Sequence, residues 1–136
     1  MNFDKAKQLF LQLLGDSDFI FHPKFLDELA ELLKTTLKGH ENEFFKKLTK
    51  VMKQLDVCGR SITDIDGHEK LHAPTGEWYS LHITTPFINL RMLIAFIDCT
   101  PVFLVCFDEK SGKKATSYQN YLPVLNSRLH EMEENL

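Results

Sequence analysis

Apolar residues recur at helical spacing through the first 56 positions of the chain. Phe3, Ala6, Leu9, Phe10, Leu13 and Leu14 fall three and four apart, which predicts a short amphipathic helix over residues 1–15 with Gly15 as its stop. Phe19-Ile20-Phe21 is too short and too aromatic for a helix and predicts a brief strand running up to Pro23, a residue suited to the first turn of a second helix. Phe25, Leu29, Leu32 and Leu33 share one face of that helix, with Leu26, Ala30 and Leu37 widening the stripe until Gly39. A third helix from Glu41 to Leu55 sets Phe44, Leu48, Val51, Met52 and Leu55 against Lys46, Lys47, Lys50 and Lys53. The short turn between these two helices predicts an antiparallel pair.

Residues 57–76 read as irregular, broken by Gly59, Gly67, Pro74 and Gly76. The period then changes. Trp78 to Ile83 alternates like a strand, Leu90 to Asp98 holds the six-residue apolar run Met92 to Ile97, and Val102 to Phe107 is rich in branched and aromatic residues. An apolar run of that length predicts a strand covered on both faces. The links, residues 84–89 and Asp98-Cys99-Thr100-Pro101, are too short for a parallel crossover, so the three strands should form an antiparallel meander. After a polar loop over 108–117, Tyr118, Leu122, Leu125, Leu129, Met132 and Leu136 mark a closing helix in which Pro123 is tolerable only in the first turn. The expected fold is α+β and a single domain over residues 1–136: a short N-terminal strand and a two-helix hairpin on a three-stranded meander, with a C-terminal helix and an extra helix at the N-terminus.

Composition narrows the function classes. The chain has 16 Lys+Arg against 19 Asp+Glu, a net charge of −3, which excludes the whole-surface basicity of a non-specific nucleic-acid binder but not a local basic face. Residues 38–60 carry six basic groups against three acidic ones, whereas 61–86 carry one against four. Cys58, Cys99 and Cys106 form no C-x-x-C pair; Cys99 and Cys106, in or beside apolar runs, read as small buried hydrophobes, and reduced thiols are expected. No stretch is long and apolar enough to span a bilayer and no signal sequence is evident, so a cytoplasmic location without membrane contact is expected.

Three features carry candidate chemistry. Lys46, Lys50 and their neighbours are either the solvated face of the third helix or a basic surface. Arg91 opens the most apolar strand, where its permanent charge requires a carboxylate such as Glu77 or Asp108, carbonyl oxygens, or an anionic ligand. The segment from Phe107 through Lys110, Gly112, Lys113 and Lys114 to Tyr118 places three lysines ahead of a helix start, a candidate phosphate-binding loop or an ordinary lysine-bearing surface loop. The six histidines show no metal-ligand spacing, and G-x-S-x-G, P-loop and dinucleotide fingerprints are absent, so no metal and no small-molecule cofactor are expected.

The order of elements from Phe19 to Glu134, with Leu90-Arg91-Met92-Leu93, Val102 to Phe107 and Lys110-Ser111-Gly112-Lys113-Lys114-Ala115-Thr116-Ser117-Tyr118, resembles the RelE/ParE superfamily of bacterial toxins, in its phage-derived and Gram-positive branch. Arg91 matches the arginine of the second meander strand, Lys113 and Lys114 the basic pair after the third, Tyr118 the aromatic residue that follows, and Lys70 a basic residue ahead of the first. His82 stands where the family usually has arginine. The resemblance implies the toxin half of a toxin–antitoxin pair and ribosome-dependent cleavage of messenger RNA, without metal, by attack of the 2′-hydroxyl on its own phosphodiester. The implied catalytic set is His82, Arg91, Lys113, Lys114 and Tyr118, with Lys70, Lys110, Lys46 and Lys50 as RNA contacts. His82 would act as base or acid and the cations would stabilise charge. The implied partners are an antitoxin, the ribosome and messenger RNA. The other reading is a non-enzymatic binding domain: a gyrase-directed toxin of the ParE kind, or an inactive relative whose partner is its antitoxin.

Overall fold

The computed structural model describes residues 18–65, 67–73, 76–109 and 114–135, with Gln8, Gln12 and Gly15 before them; the side chains of His72 and residues 114–117 lie outside that description. Its elements are β1 (Ile20–Phe21), α1 (Pro23–Lys34), α2 (Glu41–Cys58), a 3-10 turn (Gly59–Asp64), β2 (Glu69–Ala73), β3 (Gly76–Thr84), β4 (Asn89–Ile97), β5 (Thr100–Asp108) and α3 (Lys114–Glu134). The protein is α+β, with three helices around a five-stranded mixed sheet of order β1-β5-β4-β3-β2. The helix expected over residues 1–15 lies outside the described residues except at Gln8, Gln12 and Gly15, which are helical and exposed.

Each helix follows its apolar spacing. Pro23 opens α1, where His22 Nδ1 accepts the Lys24 N–H at 3.0 Å as a cap. Phe25, Leu29 and Leu33 are its buried stripe. The helix stops at Lys34, short of Gly39, and Gly39 takes φ +87° in the turn that leads to α2. α2 buries Phe44, Phe45, Leu48, Val51, Met52 and Leu55. It runs three residues beyond the expected Leu55, to Cys58.

The strands β2 to β5 are consecutive antiparallel neighbours, while β1 pairs parallel to β5 through Ile20↔Val102 and Phe21↔Phe103. Two apolar clusters, one on each face of the sheet, make three layers. Tyr79, Leu81, Ile83, Leu90, Met92, Ile94 and Phe103 pack against α1 and α2. Trp78, Leu93, Ala95, Val102, Leu104 and Val105 pack with Tyr118 and Leu125 of α3. β4 therefore feeds both clusters, the arrangement its unbroken apolar run implies. The register slips between Leu93 and Ile94, so Leu104 is an extra residue on β5.

Four expectations are corrected. The sheet has five strands because Glu69–Ala73, within the stretch read as irregular, pairs with β3 from Glu69↔Ser80 to Ala73↔Gly76. The closing helix starts at Lys114, not Tyr118, which puts Pro123 in its interior; the ring leaves the Gln119 carbonyl without its usual helical donor. Cys99 is exposed in the β4–β5 turn beside Asp98 at φ +55°, whereas Cys106 is buried as expected. Arg91 meets neither Glu77 nor Asp108: its Nη1 donates to Asn89 Oδ1 at 2.6 Å and to the Leu90 carbonyl at 3.3 Å.

Candidate functional site

Strand parity assembles a polar group on an otherwise apolar face. Tyr79, Leu81 and Ile83 point toward α1 and α2, so Ser80 and His82, one residue out of phase, point toward α3. Cross-strand pairing places Glu69 of β2 opposite Ser80 and Arg91 of β4 opposite His82. Tyr118, near the start of α3, closes over this group from above.

The Tyr118 hydroxyl is the hub. It donates to Glu69 Oε1 at 2.7 Å and lies 2.9 Å from Ser80 Oγ and 3.3 Å from His82 Nε2. His82 Nε2 is also 3.2 Å from Glu69 Oε1. A phenol has one proton; once it goes to the carboxylate, Ser80 and His82 must donate to the phenol oxygen. This assigns a proton to His82 Nε2, shared between Glu69 and Tyr118. Burial pushes the Tyr118 phenol up to about 12, and Glu69 adds to the rise while the Ser80 hydrogen bond and the Arg91 charge oppose it.

Ser80 is fully buried, and Arg91 and Tyr118 are only 8% and 9% exposed. Arg91 Nε and both carboxylate oxygens of Glu109, which follows the end of β5, are buried without a hydrogen-bond partner among the described residues. Asn89 links the two neighbourhoods, accepting from Arg91 and donating its Nδ2 to the Glu109 carbonyl at 2.9 Å.

His82 also lines a polar cleft of about 110 Å³ where β3 ends beside α2. Lys47, Lys50 and Gln54 of α2, Gly67 and His68 of the preceding loop, and Thr84 share its walls. His68 Nδ1 accepts the His82 backbone N–H at 3.1 Å. Burial lowers the His68 pKa, and the Lys47 charge lowers it further.

Of the residues singled out in the sequence, His82, Arg91 and Tyr118 converge, and Lys50 shares the cleft with His82. Lys70 does not: it reaches Glu77 at 3.6 Å and sits 5.9 Å over the Tyr79 ring, on the opposite face of the sheet. Lys46 is exposed on α2 and does not line the cleft. Lys110 and Lys113 lie outside the described residues, and Lys114 begins α3 with its side chain outside them. Lys47 belongs to the basic face that the sequence marks on α2, whereas Glu69, Ser80 and His68 carry no such signal. Glu69 and Ser80 become legible only when Glu69–Ala73 is read as an edge strand in register with β3.

Among the described residues no group of three or more His, Cys, Asp or Glu converges as a metal site, and no helix is long and apolar enough to cross a membrane. The fold and the site define an α+β protein whose partly buried Glu69-His82-Tyr118 network meets a lysine-lined cleft at His82. Compared with protein-family profiles, curated proteins and solved structures, the chain matches none.

Proposed function

We propose that this protein is the toxin of a toxin–antitoxin pair, of the RelE/ParE kind, and that it cleaves messenger RNA on the ribosome. The observation that carries the reading is the position of His82, held by Glu69 and Tyr118 on one side and lining an open cleft on the other. An imidazole so placed suits proton transfer at a ribonucleotide. In the reaction the 2′-oxygen bonds to the adjacent phosphorus and the bond from phosphorus to the 5′-oxygen breaks. The 2′-hydroxyl proton passes to a base and the leaving oxygen takes a proton from an acid, giving a cyclic phosphate and a free 5′-hydroxyl. Glu69 orients the ring and Arg91, directly across the strand pair, supplies fixed positive charge beside it. Tyr118 acts as a positioning residue in this scheme, because its hydroxyl is committed to Glu69, Ser80 and His82.

Purified protein added to programmed ribosomes should yield message fragments with cyclic phosphate ends, lost in His82→Ala and reduced tenfold or more in Glu69→Gln. Intact message with the wild-type protein refutes the reading.

The burial of Arg91 and Tyr118 favours one second reading, a non-enzymatic domain that acts by binding gyrase or an antitoxin. Expression that linearises plasmid DNA while translation continues supports the gyrase form. Binding of an antitoxin with neither effect supports the inactive form.

A further inference from the structure

We propose that the cleft between α2, Gly67–His68 and the end of β3 is a phosphodiester site, in which Lys47 and Lys50 hold the anion and His68 donates to it as a neutral imidazole. The proposal identifies where a substrate phosphate sits in the reading above, and rests on that reading only for the source of the phosphate.

Charge is the first argument. Lys47 and Lys50 lie one turn apart on α2 and both line the cleft, so two cationic side chains share one wall. Among the described residues neither has an ion-pair partner and no carboxylate lines the cleft. Converging cations without a counter-charge repel one another, and an anion between them relieves that repulsion. Exposed lysines elsewhere on the same helix, Lys46 and Lys53, diverge from the cleft.

Donor geometry is the second. Because His68 Nδ1 accepts the His82 backbone N–H, the proton of the neutral ring belongs on Nε2. Protonating Nδ1 would break that hydrogen bond, and burial beside Lys47 opposes it as well. His68 is thus an N–H donor that does not compete for the proton His82 transfers. The Gln54 amide and the Thr84 hydroxyl add uncharged donors to the same walls.

Size is the third. A cleft of about 110 Å³ is several times the roughly 30 Å³ that one water occupies, yet well below the ~300 Å³ at which pockets for whole drug-sized ligands begin. It suits one phosphate group of a longer chain whose sugars and bases lie outside.

The test is an amide NMR titration at low ionic strength with two probes, inorganic phosphate and the non-cleavable 2′-O-methylated dinucleotide UpU. Saturable shifts centred on Gly67, His68 and Thr84, with the dinucleotide binding in roughly the millimolar range, are expected. The Lys47→Ala/Lys50→Ala double variant should weaken that binding at least tenfold, whereas Lys53→Ala should leave it unchanged. His68→Asn restores an acceptor for the His82 N–H and keeps the test valid where His68→Ala fails to fold; it should bind more tightly than His68→Ala. Absence of saturable shifts, or equal weakening by Lys53→Ala, overturns the site. Binding of inorganic phosphate alone overturns the phosphodiester assignment. Dinucleotide binding with no message cleavage overturns the enzyme reading and leaves the site standing.

Discussion

The Arg128 guanidinium and the Glu28 carboxylate meet side by side, Nη1 to Oε1 at 3.0 Å and Nη2 to Oε2 at 2.9 Å, and together they close the edge of β5 that β1 is too short to cover. β1 ends at Phe21, and the His22 N–H makes the last main-chain bond, to the Phe103 carbonyl at 2.9 Å. Beyond it the Leu104 carbonyl accepts from Arg128 at 2.7 Å and the Cys106 N–H donates to Glu28 at 3.0 Å. An ion pair from α1 and α3 thus replaces a missing length of strand. Arg128→Ala leaves the Glu28 carboxylate without its counter-charge and the Leu104 carbonyl without a donor, and should cost about 2 kcal/mol, less than a fully buried pair because Glu28 is 30% exposed. Denaturant titrations of Arg128→Ala, Glu28→Gln and the double variant should show a coupling above about 1 kcal/mol; additive effects would refute the shared role.

Tyr118→Phe removes the hydroxyl that joins Ser80, Glu69 and His82 and should lower stability by about 1–2 kcal/mol. Because the folded-state pKa of Tyr118 is raised, the folded protein holds its phenol proton more tightly than the unfolded chain does. That contribution is complete below about pH 10 and is lost as pH rises through 12. Wild-type stability should fall over this window more steeply than that of Tyr118→Phe, as followed by urea titration at each pH.

His68 gives the opposite sign on the acid side. Its pKa is lowered in the folded state, so the unfolded chain binds more protons below about pH 6.5. Stability associated with neutral His68 is present above that pH and lost as pH falls through the folded value. His68→Asn should flatten this part of the pH–stability curve; an unchanged slope places the acid sensitivity elsewhere.

Arg91 should separate stability from activity. A cation 8% exposed with an unpartnered Nε is a burden on the fold, so Arg91→Met should leave thermal stability unchanged or raise it by about 1 kcal/mol. The same variant should cut ribosome-dependent cleavage tenfold or more. A large loss of stability would mark Arg91 as structural.

Thiol reactivity offers a simple check of packing. Cys99 is exposed, whereas burial and the nearby Glu28 carboxylate raise the Cys106 pKa. Ellman's reagent should modify Cys99 in the folded protein and reach Cys106 only at the rate of unfolding.

Periodicity made the interior of this protein legible. The Met92–Ile97 run reads as a doubly covered strand because neither face offers a polar position, and Phe44, Leu48 and Leu55 mark the inner face of α2 without ambiguity. The edges were harder. Glu69-Lys70-Leu71-His72-Ala73 alternates weakly and owes its strand form to backbone pairing with β3, which local pattern does not reveal. At the start of α3, Lys114-Ala115-Thr116-Ser117 carries no apolar stripe, so the helix showed itself only from Tyr118. The candidate site divides the same way. His82 and Arg91 share a face through strand parity and were readable together, while Glu69 and Lys47 reach His82 and its cleft through tertiary placement of an edge strand and a helix.

The parallel pairing of Ile20 and Phe21 with Val102 and Phe103 has a consequence for assembly during synthesis. Strands β2 to β5 join neighbours in sequence, but β1 must wait for a partner about 80 residues downstream, a costly closure that local contacts do not assist. At a translation rate of roughly 5–20 residues per second, the β1 and α1 segment spends several seconds out of the ribosome before β5 exists. During that interval Phe19, Phe21 and Phe25, whose rings later pack on Phe103, have no sheet to cover them. The nascent N-terminal third is therefore the stretch of this chain most exposed to chaperone capture and to aggregation.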